Sequence, residues 1–385
     1  MKVLKFGGTS VANSKSLNKV LEIIKNQNDS IVVVVSALAG ITDLLMEMLS
    51  LAESRKDNFK SNLSKIEKLH LEPIKKCIPI QNQSAIISYL KKHLNELESR
   101  LDAIFLLEEV TKKNNASVAS YGEILSSNII HEIFKHNKID SELKDARELI
   151  QTSTHNGMEV VNEKITDQQI KNYFSNNKSR VVIVPGFIAC NKSGVTTTLG
   201  RGGSDYSAAI IANSVEADMF EIWTDVSGIY TAHPKIVTQA KPIKKLSYYE
   251  AMELSHFGAK VIYPPTLQPI IEKNIPIVVK NTFAPHDLGT LIDSSKFSEN
   301  PEIVKGISHI DNVALINLEG SGMIGITGFS KRLFEALSDV HINVIMITQA
   351  SSEHSICIGV KEEDSAIAKK AIDNKFDFEI SLNKV

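Results

Sequence analysis

The sequence predicts an α/β protein built on a mainly parallel sheet, followed by a smaller unit with the order βαββαβ. Three observations carry this. Short, largely apolar runs, most of them rich in Val and Ile, recur at Val3 to Phe6, Ile31 to Val35, Val181 to Val184, Met219 to Trp223 and Ile275 to Val279. Apolar runs of four or five residues, most of them followed by Gly, Ser, Thr or Pro, are the pattern of strands buried on both faces. Helical patterns lie between them: Leu17, Val20, Leu21 and Ile24 share one face, with Ser14 or Ser16 as the expected cap. Leu90, Leu94, Leu97, Leu101 and Ile104 form a longer stripe within a Lys-, Asn- and Glu-rich stretch, from about 50 to 115, that reads as solvated helices covering the sheet.

The third observation is a change of pattern near 293. Asp293 to Pro301 is polar and turn-rich, as a linker is. Beyond it come a strand (Val313 to Leu318), a turn with Gly320 and Gly322, a helix (Phe329 to Leu337), two strands (Val344 to Gln349, Ile356 to Val360), a helix (Ala366 to Ile372) and a last strand (Phe376 to Ile380). That order is the split βαβ, or ferredoxin-like, arrangement. No second copy of it is found in the chain.

Composition narrows the function classes. The 385 residues are 43% hydrophobic and 23% charged, which excludes a disordered chain. The net charge of −2 leaves no electrostatic footprint for nucleic acid or an anionic membrane. No apolar run approaches the length of a bilayer span, and the N-terminus turns into Gly-Gly at once, without the apolar core of a secretory signal. Cys77, Cys190 and Cys357 are far apart and read as buried thiols in a reducing cytoplasm. The eleven histidines show no ligand spacing, so no structural metal site is expected.

In α/β folds the ligand sits beyond the carboxyl ends of the strands, so polar and glycine residues just after each run are the candidates. Lys5-Phe6-Gly7-Gly8-Thr9-Ser10 joins the first strand to the first helix. Glycines there let the backbone approach an anion, and Lys5 supplies an ammonium. A tight turn beside a solvated lysine would leave the same trace. Neither a dinucleotide fingerprint nor a P-loop is present. Ser36 to Thr42, after the second strand, offers two hydroxyls and a glycine for a small polar ligand, or ordinary helix capping. Leu199 to Ser207 is denser. Arg201 provides a fork for a carboxylate or phosphate, three glycines free the backbone, and Ser204 and Asp205 open an apolar helix. Capping explains the last two residues but neither the glycines nor Arg201. Trp223 to Tyr230 places a polar pair and an aromatic after a strand, which suits a nucleoside or a plain loop. Lys260 follows a helix and Gly258, as an active-site or a solvated lysine.

In this order the segments resemble the aspartokinase family, within the amino-acid kinase fold, over essentially the whole chain. Lys5 to Ser10 is similar to its N-terminal signature, Ser36 to Thr42 to its second motif, Gly122-Glu123 to its third, Gly200 to Ser207 to its Arg-Gly-Gly-Ser-Asp motif and Trp223 to Tyr230 to its nucleotide loop. Glu250 to Lys260 looks most like the kinase region of fused aspartokinase–homoserine dehydrogenases, and the tail, including Ile347 to Glu353, like their first ACT module. Three features depart from the family. His233-Pro234-Lys235 stands where Asp-Pro-Arg is usual, Tyr263 where His is usual, and one ACT-like unit is present where two are typical.

The resemblance implies an αβα sandwich at 1–293 as catalytic domain and an ACT-like regulatory domain at 302–385, the second module being absent. It implies a cytoplasmic enzyme transferring a phosphoryl group from ATP, with Mg²⁺, to the side-chain carboxylate of L-aspartate. That is the first step toward lysine, threonine and methionine. The alternatives are another amino-acid-kinase-fold enzyme, such as a glutamate kinase, or a non-catalytic amino-acid sensor. By the same resemblance Lys5, Asp205 and Lys260 are catalytic, and Asp205 orients Lys5. Lys5, Gly7, Gly8, Thr224, Asp225, Tyr230, Lys235 and Lys260 bind ATP and its phosphates. Ser36, Thr42, Glu123, Arg201 and Ser204 bind aspartate, with Arg201 on its α-carboxylate and Glu123 on its ammonium. No protein side chain is assigned to the metal. Gln349 marks an allosteric site for threonine or, second, lysine, and a homodimer is expected.

Overall fold

The computed structural model describes all residues except 156–157, 257–261, 295–303, 324 and 350–353. The chain divides into two compact units, Met1–Ser308 and His309–Val385.

The first unit contains β1 (Lys2–Phe6), β2 (Ile31–Val35), β3 (Ser141–Leu143), β4 (Gln151–His155), β5 (Met158–Val161), β6 (Val181–Pro185), β7 (Ile188–Asn191), β8 (Thr196–Thr198), β9 (Met219–Thr224), β10 (Lys245–Ser247), β11 (Ile277–Asn281) and β12 (Thr290–Asp293). Eight of these form one sheet in the order β10-β12-β11-β9-β1-β2-β6-β3, parallel throughout except where β12 meets β11. The unbroken apolar runs follow from two covered faces. Leu4, Phe6, Ile31, Val33, Val35, Val181 and Ile183 pack under one layer, which includes the Ser14–Lys25, Ile41–Glu53, Gln83–Leu107 and Tyr121–His136 helices. Val3, Val32, Val34, Val182, Val184, Phe220 and Ile222 face the Gly203–Ser214 helix and its neighbours. The strand period of two therefore places Lys5 on the Val3 face, toward that helix.

The sequence reading differs locally. The first helix is capped by Asn13, whose side chain accepts the Lys15 and Ser16 N–H groups, rather than by a serine. The strand expected at Ile275 to Val279 runs instead over Ile277–Asn281, because Pro276 has no N–H to give a ladder. A second sheet, β5-β4-β7-β8, was not foreseen from its short polar strands. Leu90, Leu94, Leu97, Leu101 and Ile104 are all buried along one 25-residue helix. The three cysteines are free and only half-buried.

The second unit packs two helices, Phe329–Asp339 and Ser365–Lys375, on one face of an antiparallel sheet. Its order is β13-β15-β14, with β13 Val313–Glu319, β14 Met346–Gln349 and β15 Ser355–Lys361. The expected last strand does not form. Phe376 is buried on Phe329, ring centroids 5.5 Å apart, and the chain continues as the helix Asp377–Ser381. Only the first member of the Phe376, Phe378, Ile380 alternation is covered, Phe378 being 72% exposed. The helical path also lets Glu379 accept a hydrogen bond from Arg332 at 3.0 Å.

Candidate active site

The carboxyl ends of the parallel strands meet where β2 leaves β1 on one side and β9 on the other, the switch point at which such sheets bind ligands. Lys5 lies one residue before the end of β1 and is 8% exposed. Its Nζ is 2.7 Å from Oδ1 of Asp205, in the first turn of the Gly203–Ser214 helix. The same ammonium stands close above Gly7, where an added Cβ would lie 3.7 Å from it. Lys5 is thus held by a carboxylate and poised over the glycine turn.

Glu123 approaches from the other layer. Gly122 allows this, since a Cβ there would lie 2.7 Å from that of Ala37. Glu123 is 3% exposed; its Oε1 accepts the Ala37 N–H at 3.2 Å, and its Oε2 is buried without a partner among the described residues. Burial pushes its carboxyl up to about 8, against the lowering pull of the Ala37 and Glu123 N–H groups and of the Lys5 charge. One turn on, Ser126 Oγ donates to the Ser36 carbonyl at 2.8 Å. Thr42 lies in the first turn of the Ile41–Glu53 helix, which opens at Gly40.

Arg201 sits in an exposed turn between Gly200 and Gly202, and has no ion-pair partner among the described residues. Gly202 is left-handed at φ +68°, and a Cβ on it would meet the Tyr263 ring at 2.7 Å, so no other residue fits. Ser204 packs against Gly186 at the end of β6.

On the far side of β1, Thr224 ends β9 and its hydroxyl donates to Asp225 Oδ1 at 3.1 Å. Asp225 and Lys235 are exposed, and Tyr230 is half-buried and bridged to Pro242. The structure therefore gathers Lys5, Glu123, Asp205 and the Ser36 backbone into one buried cluster. Thr224, Asp225, Tyr230 and Lys235 lie on the segment that follows β9, where Asp225 and Lys235 are exposed and Thr224 and Tyr230 half-buried. Lys260 lies outside the described residues. The Gly7 reading needs correction: its N–H already donates to the Trp223 carbonyl at 3.0 Å, so its contribution is close approach rather than a free donor.

Several residues in this region carried no role in the sequence reading. Ser10 and Thr282 are fully buried and join their hydroxyls at 2.7 Å. Glu221, on β9, accepts the indole N–H of Trp223 at 2.8 Å, and Lys280 lies 4.8 Å over the same ring. Thr282 follows a strand directly, so the rule that singled out Thr224 also reaches it. A cavity of about 310 Å³ is lined by Tyr89, His93, Arg100 and Arg147 and by Tyr121, Ile124, Ser127 and Asn128 of the Tyr121–His136 helix, but not by Glu123, Lys5 or Asp205. Among the described residues no three His, Cys, Asp or Glu side chains converge as a metal cage.

Two family models match: the amino acid kinase family over residues 1–281, and the ACT domain over residues 316–376. The bifunctional aspartokinase/homoserine dehydrogenase 1 of Arabidopsis thaliana is 35% identical over 381 residues, 97% of this chain and 42% of that protein. This chain thus spans less than half the length of such fused relatives. The lysine-sensitive aspartokinase 3 of Escherichia coli is 33% identical over 92% of this chain and 77% of its own length. Among solved structures, E. coli aspartokinase III in complex with lysine and aspartate superposes with a TM-score of 0.78 at 30% identity, covering 94% of this chain and 79% of that one. The same enzyme with aspartate and ADP gives 0.73 at 25% identity, covering 97% and 99%. The order of motifs, the parallel sheet with its buried Lys5–Asp205 pair and these likenesses agree: the chain belongs to the amino acid kinase family, among the aspartokinases.

Proposed function

We propose that this chain transfers the γ-phosphoryl group of ATP to the side-chain carboxylate of L-aspartate, giving ADP and 4-phospho-L-aspartate, the entry step to lysine, threonine and methionine. The observation that carries the substrate class is Glu123, a buried carboxyl with one oxygen unpartnered among the described residues, beside the Lys5–Asp205 pair. A ligand ammonium satisfies that oxygen and favours its ionised form. Arg201, exposed and without an ion-pair partner among the described residues, takes the α-carboxylate through its two-pronged donor set. Ser36, Thr42 and Ser204 complete the pocket. These groups select a free α-amino acid over an acetylated one or a nucleotide.

The acceptor carboxylate has an ordinary pKa of about 3.9, so it attacks without a general base. The attacking oxygen bonds to the γ-phosphorus, the bond to the β–γ bridging oxygen breaks, and its electron pair leaves with ADP. The barrier is an anion meeting an anion, so catalysis is positioning and charge neutralisation. Lys5, kept in place by Asp205, faces the transferring group together with the Gly8 amide, while the role of neutralising the β- and γ-phosphates is assigned to Lys260 by the family resemblance. Thr224, Asp225, Tyr230 and Lys235 hold the nucleoside and phosphates. Asp205 is committed to Lys5, and a Mg²⁺ ion would arrive on the nucleotide. Such an ion supplies neutralisation of phosphate charge.

The first unit, expected at 1–293, is the catalytic domain, and the second, expected at 302–385 and beginning at His309, is the regulatory ACT-like domain of this cytoplasmic enzyme. Gln349, at the exposed end of β14, contributes to a site for threonine or else lysine. The sheet face opposite the two helices, with Leu315 63% and Ile347 57% exposed, is apolar enough to pair with a second copy in a homodimer. ADP release measured with aspartate, glutamate, N-acetylglutamate and UMP as acceptors tests the reading. Turnover with aspartate alone is expected; preference for another acceptor rejects it.

A further inference from the structure

The glycine turn after β1 and the ends of β9 and β11 are tied together by hydroxyls that the proposed chemistry does not use. Ser10 Oγ is 3.1 Å from the Trp223 carbonyl and 2.7 Å from Thr282 Oγ1. Each hydroxyl has one proton. The arrangement satisfying both contacts is Thr282 O–H donating to Ser10 Oγ, and Ser10 O–H donating to the Trp223 carbonyl. That carbonyl also accepts the Gly7 N–H at 3.0 Å, so both its lone pairs go to one turn. Ser10 N–H closes the turn on the Gly7 carbonyl at 2.9 Å, and Thr282 N–H binds the Thr224 carbonyl at 2.8 Å. Ser10 and Thr282 are both 0% exposed, so water does not compete for these bonds.

We propose that the Ser10–Thr282 hydroxyl pair is a positioning device for phosphoryl transfer, fixing the glycine turn that faces the transferred group against the strand ends that carry the nucleotide. The inference rests on the function proposed above. Neither hydroxyl touches substrate. Each acts through the Trp223 carbonyl and the backbone, where a small displacement separates donor and acceptor. Aspartate is held from the other side, by Glu123 and Arg201, so its binding is left almost untouched.

The test compares the full chain with Ser10→Ala, Thr282→Val, Thr282→Ser and the Ser10→Ala/Thr282→Val double variant. It reads kcat, aspartate KM and thermal midpoint. Ser10→Ala and Thr282→Val each lower kcat on the order of tenfold or more, the scale of effect that misplaced reacting groups produce. Aspartate KM stays within about twofold, and Thr282→Ser, which keeps the hydroxyl, restores most of kcat. The double variant is no worse than either single one, because the two groups make one connection. Variants with lowered thermal midpoints but unchanged kcat would reduce the pair to a scaffold contact and overturn the proposal. So would a loss confined to aspartate KM. A wild-type chain inactive with aspartate would instead contradict the proposed function, and this inference with it.

Discussion

The two walls of the candidate site are built differently. On the Lys5 side, Lys5, Glu123 and Ala37 are buried and Ser36 half-buried, and each is held by a bond to another element. On the wall proposed to hold the nucleotide, Asp225 and Lys235 are exposed and Thr224 bonds its own neighbour. A buried, fixed charge acts at low dielectric and costs no reorganisation during the reaction, whereas an exposed one is screened and mobile. Under the proposed function, discrimination and rate belong to the first wall, and general affinity for a polyphosphate to the second.

Lys5→Met strikes the buried wall hardest. It leaves Asp205 without its ion-pair partner and removes the ammonium over the glycine turn. Steady-state kinetics are expected to show kcat lowered on the order of 10² to 10³, with a much smaller change in aspartate KM. A variant with near-normal kcat would erase the contrast between the walls. Arg201→Lys comes next, as a point charge replaces a planar fork. Aspartate KM rises roughly tenfold and ATP KM changes little; the reverse pattern would move Arg201 to the phosphates.

Glu123 sharpens the comparison through pH. Its carboxyl is raised to about 8 by burial, so it is largely protonated at neutral pH in the free enzyme. An arriving ammonium favours the carboxylate, so aspartate KM falls as pH rises from 6.5 to 8.5 and binding releases a proton. Glu123→Gln flattens that profile. The sign for stability is opposite: a raised carboxyl contributes fully below its ordinary range, and that contribution is lost as pH rises through about 8. Calorimetry in buffers of different ionisation enthalpy checks the proton release. Lys235→Ala, on the open wall, gives the smallest effect, raising ATP KM only a few-fold because an exposed charge is worth little.

Legibility in the sequence followed the same division. The runs at β1, β2, β6 and β9 were readable because both faces are buried, and Lys5 was found because it interrupts such a run at its carboxyl end. The Lys5–Asp205 pair joins positions 200 residues apart that only the strand period and the helix start bring together. The Asn13 cap and the Gly7 N–H bond depend on backbone geometry, which residue types do not specify. The helical end at Asp377–Ser381 depends on Arg332 and Phe329, distant in sequence from the alternation that suggested a strand. Ser10 and Thr282 carry no charge to draw notice, yet each follows a strand closely.

The most direct test is to trap the product with hydroxylamine and identify it by mass spectrometry. The account predicts aspartate β-hydroxamate that depends on ATP and aspartate, falls sharply with Lys5→Met and does not form from glutamate. No hydroxamate from aspartate, or a glutamate-derived one in its place, would contradict it.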